Sequence, residues 1–329
     1  MTRLFAAEWS RLFGRRVTLV TLVLIAVLLA LLTFGFTLTR SEPTPDEIAI
    51  ARENAVSAAA IWDRNVEHCG NVLSGLETAE PNEQFPTSCD YGPRPTPESL
   101  LDYGFSFHRQ WPTLFYTAAI VLALAGFVLG ASFIGVEWSS GGMANLLLWV
   151  PRRGAVLGAK LLAALAGMGL VSVVYLAVWT GAFMAVAAGN GTVSQMTAPE
   201  FGSLVLTGVR VVLLALGGTA LGFSIASLGR HTSTALGVGM AYLLIYELGA
   251  LVLFSVVQTD DYSQKFRLAP YLSAWLTKRF VFDMDKPKPG TVATAGFSGS
   301  WQQGGLVLAA VVLVVVALAF FSMRRRDAR

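Results

Sequence analysis

The stretch that decides the fold runs from Gly202 to Val257. It holds two apolar runs, residues 202–228 (GSLVLTGVRVVLLALGGTALGFSIASL) and residues 232–257 (TSTALGVGMAYLLIYELGALVLFSVV), joined by Gly229-Arg230-His231. A helix rises about 1.5 Å per residue, so roughly 20 mostly apolar residues are enough to cross a bilayer. Two such runs around a short polar turn predict an antiparallel pair of membrane-spanning helices.

Four more apolar runs reach the same length: Val17–Leu38, Pro112–Val136, Leu157–Ala187 and Gly304–Met323. Charged residues make up 14% of the chain, whereas a soluble domain carries about 25%. The first run is too long for a signal peptide and lacks a small-x-small cleavage pattern after it, so we interpret it as a retained anchor. The sequence therefore predicts an all-α polytopic membrane protein, one transmembrane domain over residues 1–329 with six transmembrane helices.

Lysine and arginine residues beside these runs predict the orientation. One side carries 12 of these cations and three acidic residues, whereas the long segment on the other side, residues 40–111, carries 5 cations and 12 acidic residues. Because short cytoplasmic segments are enriched in lysine and arginine, we expect both termini to be cytoplasmic. The bias towards arginine, alanine and glycine is typical of a GC-rich bacterial source, which predicts a multi-pass protein of the bacterial inner membrane.

Two segments are predicted outside the cytoplasm. Residues 40–111 form an acidic loop or subdomain with a helix over Thr44–Ala60, and residues 258–303 connect the last two runs. The second segment contains Leu268–Leu276, which is apolar but too short to span. We interpret Leu268–Leu276 as re-entrant or interfacial.

The only two cysteines, Cys69 and Cys89, both lie in the first external segment. An even pair in an oxidising compartment predicts a disulfide, and the alternative is two free or buried thiols.

The N-terminal residues have apolar side chains at helical spacing. Leu4, Phe5, Trp9, Leu12 and Phe13 fall on one face, and Arg3, Glu8 and Arg11 fall elsewhere. This spacing predicts a helix that lies in the membrane interface. The alternative is an ordinary cytoplasmic lead-in to the first span.

Residues 136–156, between the second and third runs, carry the most informative pattern. From Gly135 to Gly154 the chain reads GVEWSSGGMANLLLWVPRRG, and Lys160-Leu-Leu follows. It leaves the membrane at an acid, turns at two glycines, forms a short apolar helix and breaks at Pro151. An apolar helix held at the membrane surface usually marks a partner site.

This pattern resembles the permeases of ABC-2 type transporters, in which an acid after span two precedes a Gly-rich turn, a Leu-rich coupling segment, a proline, a basic residue and a Lys-led third span. Residues 40–111 are longer than the first external loop of the commoner short members. The resemblance implies a permease dimer, either two copies or two homologous permeases, bound to separately encoded ATPase subunits that carry ATP and Mg²⁺. It assigns ATPase contact to Glu137, Gly141, Gly142, Leu146, Leu147, Trp149, Pro151, Arg152 and Arg153. The alternative for this stretch is a solvated loop with an arginine anchor.

Two ionisable residues lie within predicted spans, Arg210 in the fourth and Glu247 in the fifth. A charge at such depth normally faces a partner or a cavity. Their similar distance from the outer ends of antiparallel helices predicts an Arg210–Glu247 ion pair, and the alternative is that one of them lines a translocation path.

Glycines at close spacing, Gly126-x3-Gly130 and Gly217-Gly218-x3-Gly222, predict helices whose backbones approach closely.

The sequence lacks the motifs of an energy-converting or catalytic chain. Gly154–Lys160 lacks the Gly-Lys-Ser/Thr ending of a phosphate-binding loop, and the three histidines are dispersed. We therefore predict no catalytic residue, no metal site, no bound cofactor and no nucleic-acid partner. The predicted function is a permease that exports an amphiphilic substrate (a drug, lipid, peptide or glycolipid) with ATP hydrolysed by a partner. The alternative is a membrane-anchored sensor or assembly factor that binds its partner through the acidic outer loop.

Overall fold

The computed structural model of the chain describes residues 2–38, 45–77, 89, 91–100, 107–149, 152–190, 198–249, 267–281 and 298–325. By its internal contacts the chain divides into two compact units. Unit 1 comprises Met1–Leu31, Arg109–Ala182 and Met196–Arg329, and unit 2 comprises Leu32–His108 and Phe183–Gln195.

The described chain is predominantly helical, as the sequence predicts. Its helices, numbered in chain order, are α1 Thr2–Phe13, α2 Arg16–Leu38, α3 Pro45–Leu73, α4 Pro97–Leu100, α5 Phe107–Ser139, α6 Gly142–Trp149, α7 Arg153–Asn190, α8 Ala198–Gly229, α9 Thr232–Ala241, α10 Leu268–Thr277 and α11 Trp301–Arg325. A π-helix, Tyr242–Leu248, directly continues α9.

Five of the described helices are long and apolar enough to cross a membrane: α2, α5, α7, α8 and α11. They correspond to five of the six predicted spans. The remaining predicted span, Thr232–Val257, covers α9 and the π-helix, and its last eight residues, 250–257, lie outside the described residues. Six spans with cytoplasmic termini therefore stay a prediction.

The segment between the last two predicted spans contains a small exception to the all-α prediction. Strands β1 (Arg279–Val281) and β2 (Ser298–Ser300) pair antiparallel, with Arg279 opposite Ser300. Helix α10 precedes β1 and covers the predicted re-entrant stretch. It packs against α8 and α11 through buried Pro270, Ala274 and Leu276.

Helices α5 and α8 approach so closely that four of their glycines have no room for a side chain. A Cβ at Gly130 would collide with the carbonyl oxygen of Thr219, and a Cβ at Gly222 would collide with that of Phe127. Gly126 and Gly218 face the partner backbone in the same way. The glycine spacing thus identified a real backbone-to-backbone contact.

Helix α1 packs against the first half of α7. Leu12 is buried, and a Cβ at Gly167 would collide with its side chain. Leu12 belongs to an apolar core that also contains Phe133, Met143 and Leu157. This core holds one end of unit 1 together.

Unit 2 contains the predicted cysteine pair. The structure joins Cys69 of α3 to Cys89 in a disulfide, with the two Cα atoms 5.8 Å apart. The predicted helix over Thr44–Ala60 extends to Leu73, and Thr44 itself lies outside the described residues. Arg94 donates two hydrogen bonds to the carboxylate of Asp63, at 2.6 and 2.9 Å, which lowers the pKa of Asp63.

Candidate functional site

The ends of several helices meet at one end of unit 1. This Arg-rich end carries Arg11, Arg15, Arg16, Arg152, Arg153, Arg230, Arg324 and Arg325. The α1–α2 turn, the α5–α6–α7 connection, the α8–α9 turn and the end of α11 all lie there, because successive long helices run in opposite directions. The residues that the resemblance assigns to ATPase contact belong to this end.

A buried charge network joins three helices at the Arg-rich end. It consists of Glu8 of α1, Arg15 of the α1–α2 turn, Glu137 near the end of α5 and Lys160 in α7. Lys160 Nζ lies 2.7 Å from Glu8 Oε1 and 2.6 Å from Glu137 Oε2. Arg15 Nη2 donates to Glu137 Oε1 at 3.1 Å, and its Nη1 donates to the carbonyl oxygen of Phe133 at 2.8 Å.

The charges of the network are paired with one another because most of them are buried. Lys160 and Glu8 are fully enclosed, and Glu137 is 9% exposed. A charge removed from water needs an opposite charge and hydrogen bonds nearby. Here Lys160 and Arg15 face the two carboxylates, and the more exposed Arg11 also reaches Glu8, with Nη1 3.3 Å from Oε1. Burial lowers the pKa of Arg15, while the carboxylates of Glu137 and Glu8 act in the opposite direction.

The network bears on two predictions. Glu137 is buried, and its carboxylate ties α5 to the α1–α2 turn and to α7. Its assignment to ATPase contact stays a prediction. The prediction that Glu8 lies off the apolar face of α1 is wrong, because Glu8 is fully buried on that face, one turn before Leu12. Sequence reasoning missed Lys160 as the partner of Glu8, and the available signal was the spacing Leu4, Glu8 and Leu12, which places Glu8 on the apolar face of α1.

Helix α6 has an inner and an outer face. It follows Gly141, whose φ of +74° lies in the left-handed region that favours glycine. Met143 and Leu147 point into the apolar core, whereas Leu148 is 81% exposed and Trp149 is 86% exposed. The side chain of Leu147 therefore anchors α6 to the protein, and its assignment to ATPase contact stays a prediction.

The remaining residues that the resemblance assigns to ATPase contact lie in α6 or beside it. Gly142 begins the helix and is exposed, Leu146 is partly buried against the core, and Arg152 is exposed. Pro151 lies outside the described residues. Arg153 lines a small cleft together with Trp138, Ser227, Arg230 and Ser322. The guanidinium of Arg230 lies 5.1 Å from the ring centroid of Trp138, so the wall of this cleft is basic and aromatic.

The predicted Arg210–Glu247 ion pair does not form. Glu247 instead binds Arg267, with Nη2 2.7 Å from Oε2, and accepts a hydrogen bond of 2.6 Å from the hydroxyl of Tyr242. Arg210 instead lies over the indole ring of Trp301, with 4.7 Å between the guanidinium carbon and the ring centroid. Equal depth fixes how far along each helix a residue lies but not the direction in which it points.

Among the residues that the structure describes, no group of histidine, cysteine, aspartate and glutamate is placed to hold a metal ion. The Arg-rich end combines an exposed apolar pair on a short helix with a buried charge network.

Comparison with known proteins assigns the family. No curated protein matches the chain. The family profile described as ABC-2 family transporter protein matches residues 3–328, nearly the whole sequence, and so confirms the predicted resemblance. Members of this family are the transmembrane subunits of ABC transporters and associate with ABC ATPase subunits. The chain, a multi-pass membrane protein, belongs to the ABC-2 family of transporter proteins.

Proposed function

We propose that this chain is the permease subunit of an ATP-driven exporter and that the outer face of α6 docks the ATPase. The observation that carries the proposal is the exposure of Leu148 and Trp149. These two large apolar side chains are adjacent on an eight-residue helix that follows a predicted span after a tight turn at Gly141. Apolar groups that face water at such a position favour a protein partner that covers them.

The chemistry around α6 suits a partner with acidic or polar side chains at its rim. Arg152 follows the helix and is exposed, and Arg153 and Arg230 line the adjacent cleft. Protein interfaces commonly have an aromatic centre and a polar rim, and tryptophan and arginine are enriched in them. Trp149 would be the centre of this interface and the arginines its rim.

The buried charge network offers a route for force from the ATPase. Helix α6 lies between α5 and α7 in the chain, and Glu137 and Lys160 join these two helices on either side of it. A displacement of α6 would therefore move the ends of both helices together rather than bend one of them. The core contact of Met143 and Leu147 couples α6 to the same helices.

The rest of the proposal follows from the family and the sequence. We expect cytoplasmic termini in a bacterial inner membrane, since the Arg-rich end carries the excess of basic residues. A second permease copy or a homologous permease completes the pore, and ATP and Mg²⁺ bind to the ATPase subunits. The transported compound is an amphiphile that leaves the cell.

Photo-crosslinking in native membranes tests the docking surface. A benzoylphenylalanine placed at position 149 should capture a protein that carries nucleotide-binding motifs, identified by mass spectrometry. The matched control is position 76, since Leu76 is 77% exposed and belongs to unit 2, and it should not capture such a protein. Failure of position 149 to capture any nucleotide-binding protein, in a permease that inserts normally, would contradict the proposal.

A further inference from the structure

Arg210 is a buried cation whose hydrogen-bonding capacity is only partly used. It lies near the middle of α8, and the residue is 3% exposed. Its Nη1 is enclosed and has no hydrogen-bond partner among the residues that the structure describes. A buried donor without an acceptor is costly, more so when it carries charge. Such a group is a candidate for binding something that brings an acceptor.

Two indole rings hold the guanidinium in place. Its carbon lies 4.7 Å from the ring centroid of Trp301 and 5.7 Å from that of Trp275. Trp275 Nε1 also donates a hydrogen bond of 3.1 Å to the carbonyl oxygen of Arg210. Cation–π attraction stabilises the charge but supplies no acceptor to Nη1. What this site still lacks is an oxygen acceptor, and a carboxylate or a phosphate would provide it.

A polar stripe leads along α8 towards Arg210. Ser203, Thr207 and Arg210 are spaced at i, i+4 and i+7, so they share one face of the helix. Lys278, which follows α10, donates from Nζ to Ser203 Oγ at 2.7 Å. Within the described chain, neither Lys278 nor Arg210 forms an ion pair. Among the described residues, the stripe therefore has two cations and no carboxylate paired with them.

The depth of the guanidinium suits a headgroup. Side chains on a helix lean towards its N-terminus, so Arg210 reaches back towards the start of α8. There it meets Trp301, the first residue of α11, and tryptophan is typical of the membrane interface. An anion at this level would lie near the interface. Its apolar tail could follow the exposed side chains beside Arg210 on α8, which are Leu206, Val209 and Leu213.

The two rings differ in how firmly they are held. Trp275 lies against the backbone of α11, because a Cβ at Gly305 would collide with its ring. Trp301 is 38% exposed. An anion would therefore approach Arg210 past the ring of Trp301, while Trp275 keeps the guanidinium oriented.

We propose that Arg210, Trp275 and Trp301 bind the phosphate or carboxylate of an anionic amphiphile. The inference rests on the proposed function, because it names the substrate class that the exporter would accept. The planar guanidinium between two rings is the recognising group, so a lysine at this position does not replace it. A lipid-like amphiphile and a free phosphate ion share this chemistry, and the test separates them.

The test measures binding to the purified full-length permease in phosphatidylcholine nanodiscs, by the change in tryptophan fluorescence. The probes are dodecyl phosphate, dodecanol and inorganic phosphate. Dodecyl phosphate should bind about tenfold more tightly than dodecanol and about tenfold more weakly to Arg210→Gln. The matched control is Arg325→Gln, because Arg325 also lies over an aromatic ring, that of Phe321, but at the Arg-rich end, and it should change the affinity less than twofold.

Each outcome decides the inference. Equal binding of dodecyl phosphate and dodecanol, or equal affinity of the wild type and Arg210→Gln, would overturn it. If Arg210→Gln does not fold, Arg210→Lys takes its place, and an unchanged affinity for dodecyl phosphate would overturn it as well. If inorganic phosphate binds as tightly as dodecyl phosphate, the ligand is a free anion and not an amphiphile, and the inference is overturned. The assay contains no ATPase, so crosslinking at position 149 can fail while anion binding succeeds, and the reverse.

Discussion

Two cations are buried among the described residues of unit 1, and their surroundings differ. At the Arg-rich end, Lys160 lies between the carboxylates of Glu8 and Glu137. In α8, Arg210 lies against two indole rings and keeps an unbonded Nη1 among the described residues. Lys160 has two carboxylate partners within the protein, so its role is to join helices. Arg210 is held in place by the rings, but its Nη1 lacks an acceptor among the described residues, as we expect of a group that binds a ligand.

The largest effect is expected from breaking the buried charge network. Lys160→Met leaves Glu8 and Glu137 buried without their shared cation, and removal of one partner from such a group costs about 3–5 kcal/mol. Thermal unfolding in detergent should show this loss. Lys278→Met is the matched control, because Lys278 is exposed and bonded to a hydroxyl, and it should leave the melting temperature nearly unchanged.

Neutralising the stranded acids should reverse part of the loss. We expect Lys160→Met with Glu8→Gln and Glu137→Gln to unfold at a higher temperature than Lys160→Met alone. Equal melting temperatures of Lys160→Met and the wild type would show that the network does not hold the helices.

A smaller effect distinguishes the two ion-pair assignments in the membrane part. A double-mutant cycle with Arg267→Met and Glu247→Gln should give a coupling of about 1–3 kcal/mol, because these side chains are in direct contact. The same cycle with Arg210→Met in place of Arg267→Met should be additive within about 0.5 kcal/mol. A larger coupling between Arg210 and Glu247 than between Arg267 and Glu247 would support the Arg210–Glu247 ion pair instead.

The long helices were predictable because their physics is local. Every backbone polar group within a bilayer must be satisfied inside its own segment, so about 20 apolar residues in succession predict a helix by themselves. The glycine contacts of α5 and α8 were predictable for a related reason, since only small residues allow two backbones to approach. The Cys69–Cys89 disulfide was predictable because the chain has two cysteines and both lie in the same polar segment.

The directions of side chains were not predictable. In α6 the run from Leu146 to Trp149 is apolar throughout, so periodicity does not show that Leu147 points inward and Leu148 outward. Glu247 lies in a π-helix, whose wider turn rotates it away from the position that α-helical spacing predicts. Glu8 binds Lys160 across 152 positions of the chain, and a partner at that distance leaves no pattern in a single sequence.

The most direct test of the account is the amount of ATPase that the permease retains through α6. A tagged permease is purified from native membranes, and the nucleotide-binding protein recovered per permease is measured. Trp149→Asp should lower this ratio about tenfold or more, because a buried interfacial tryptophan contributes more than about 2 kcal/mol. Leu76→Asp, an equally exposed change in unit 2, should leave the ratio at the wild-type value. A wild-type ratio in a normally inserted Trp149→Asp permease would contradict the account.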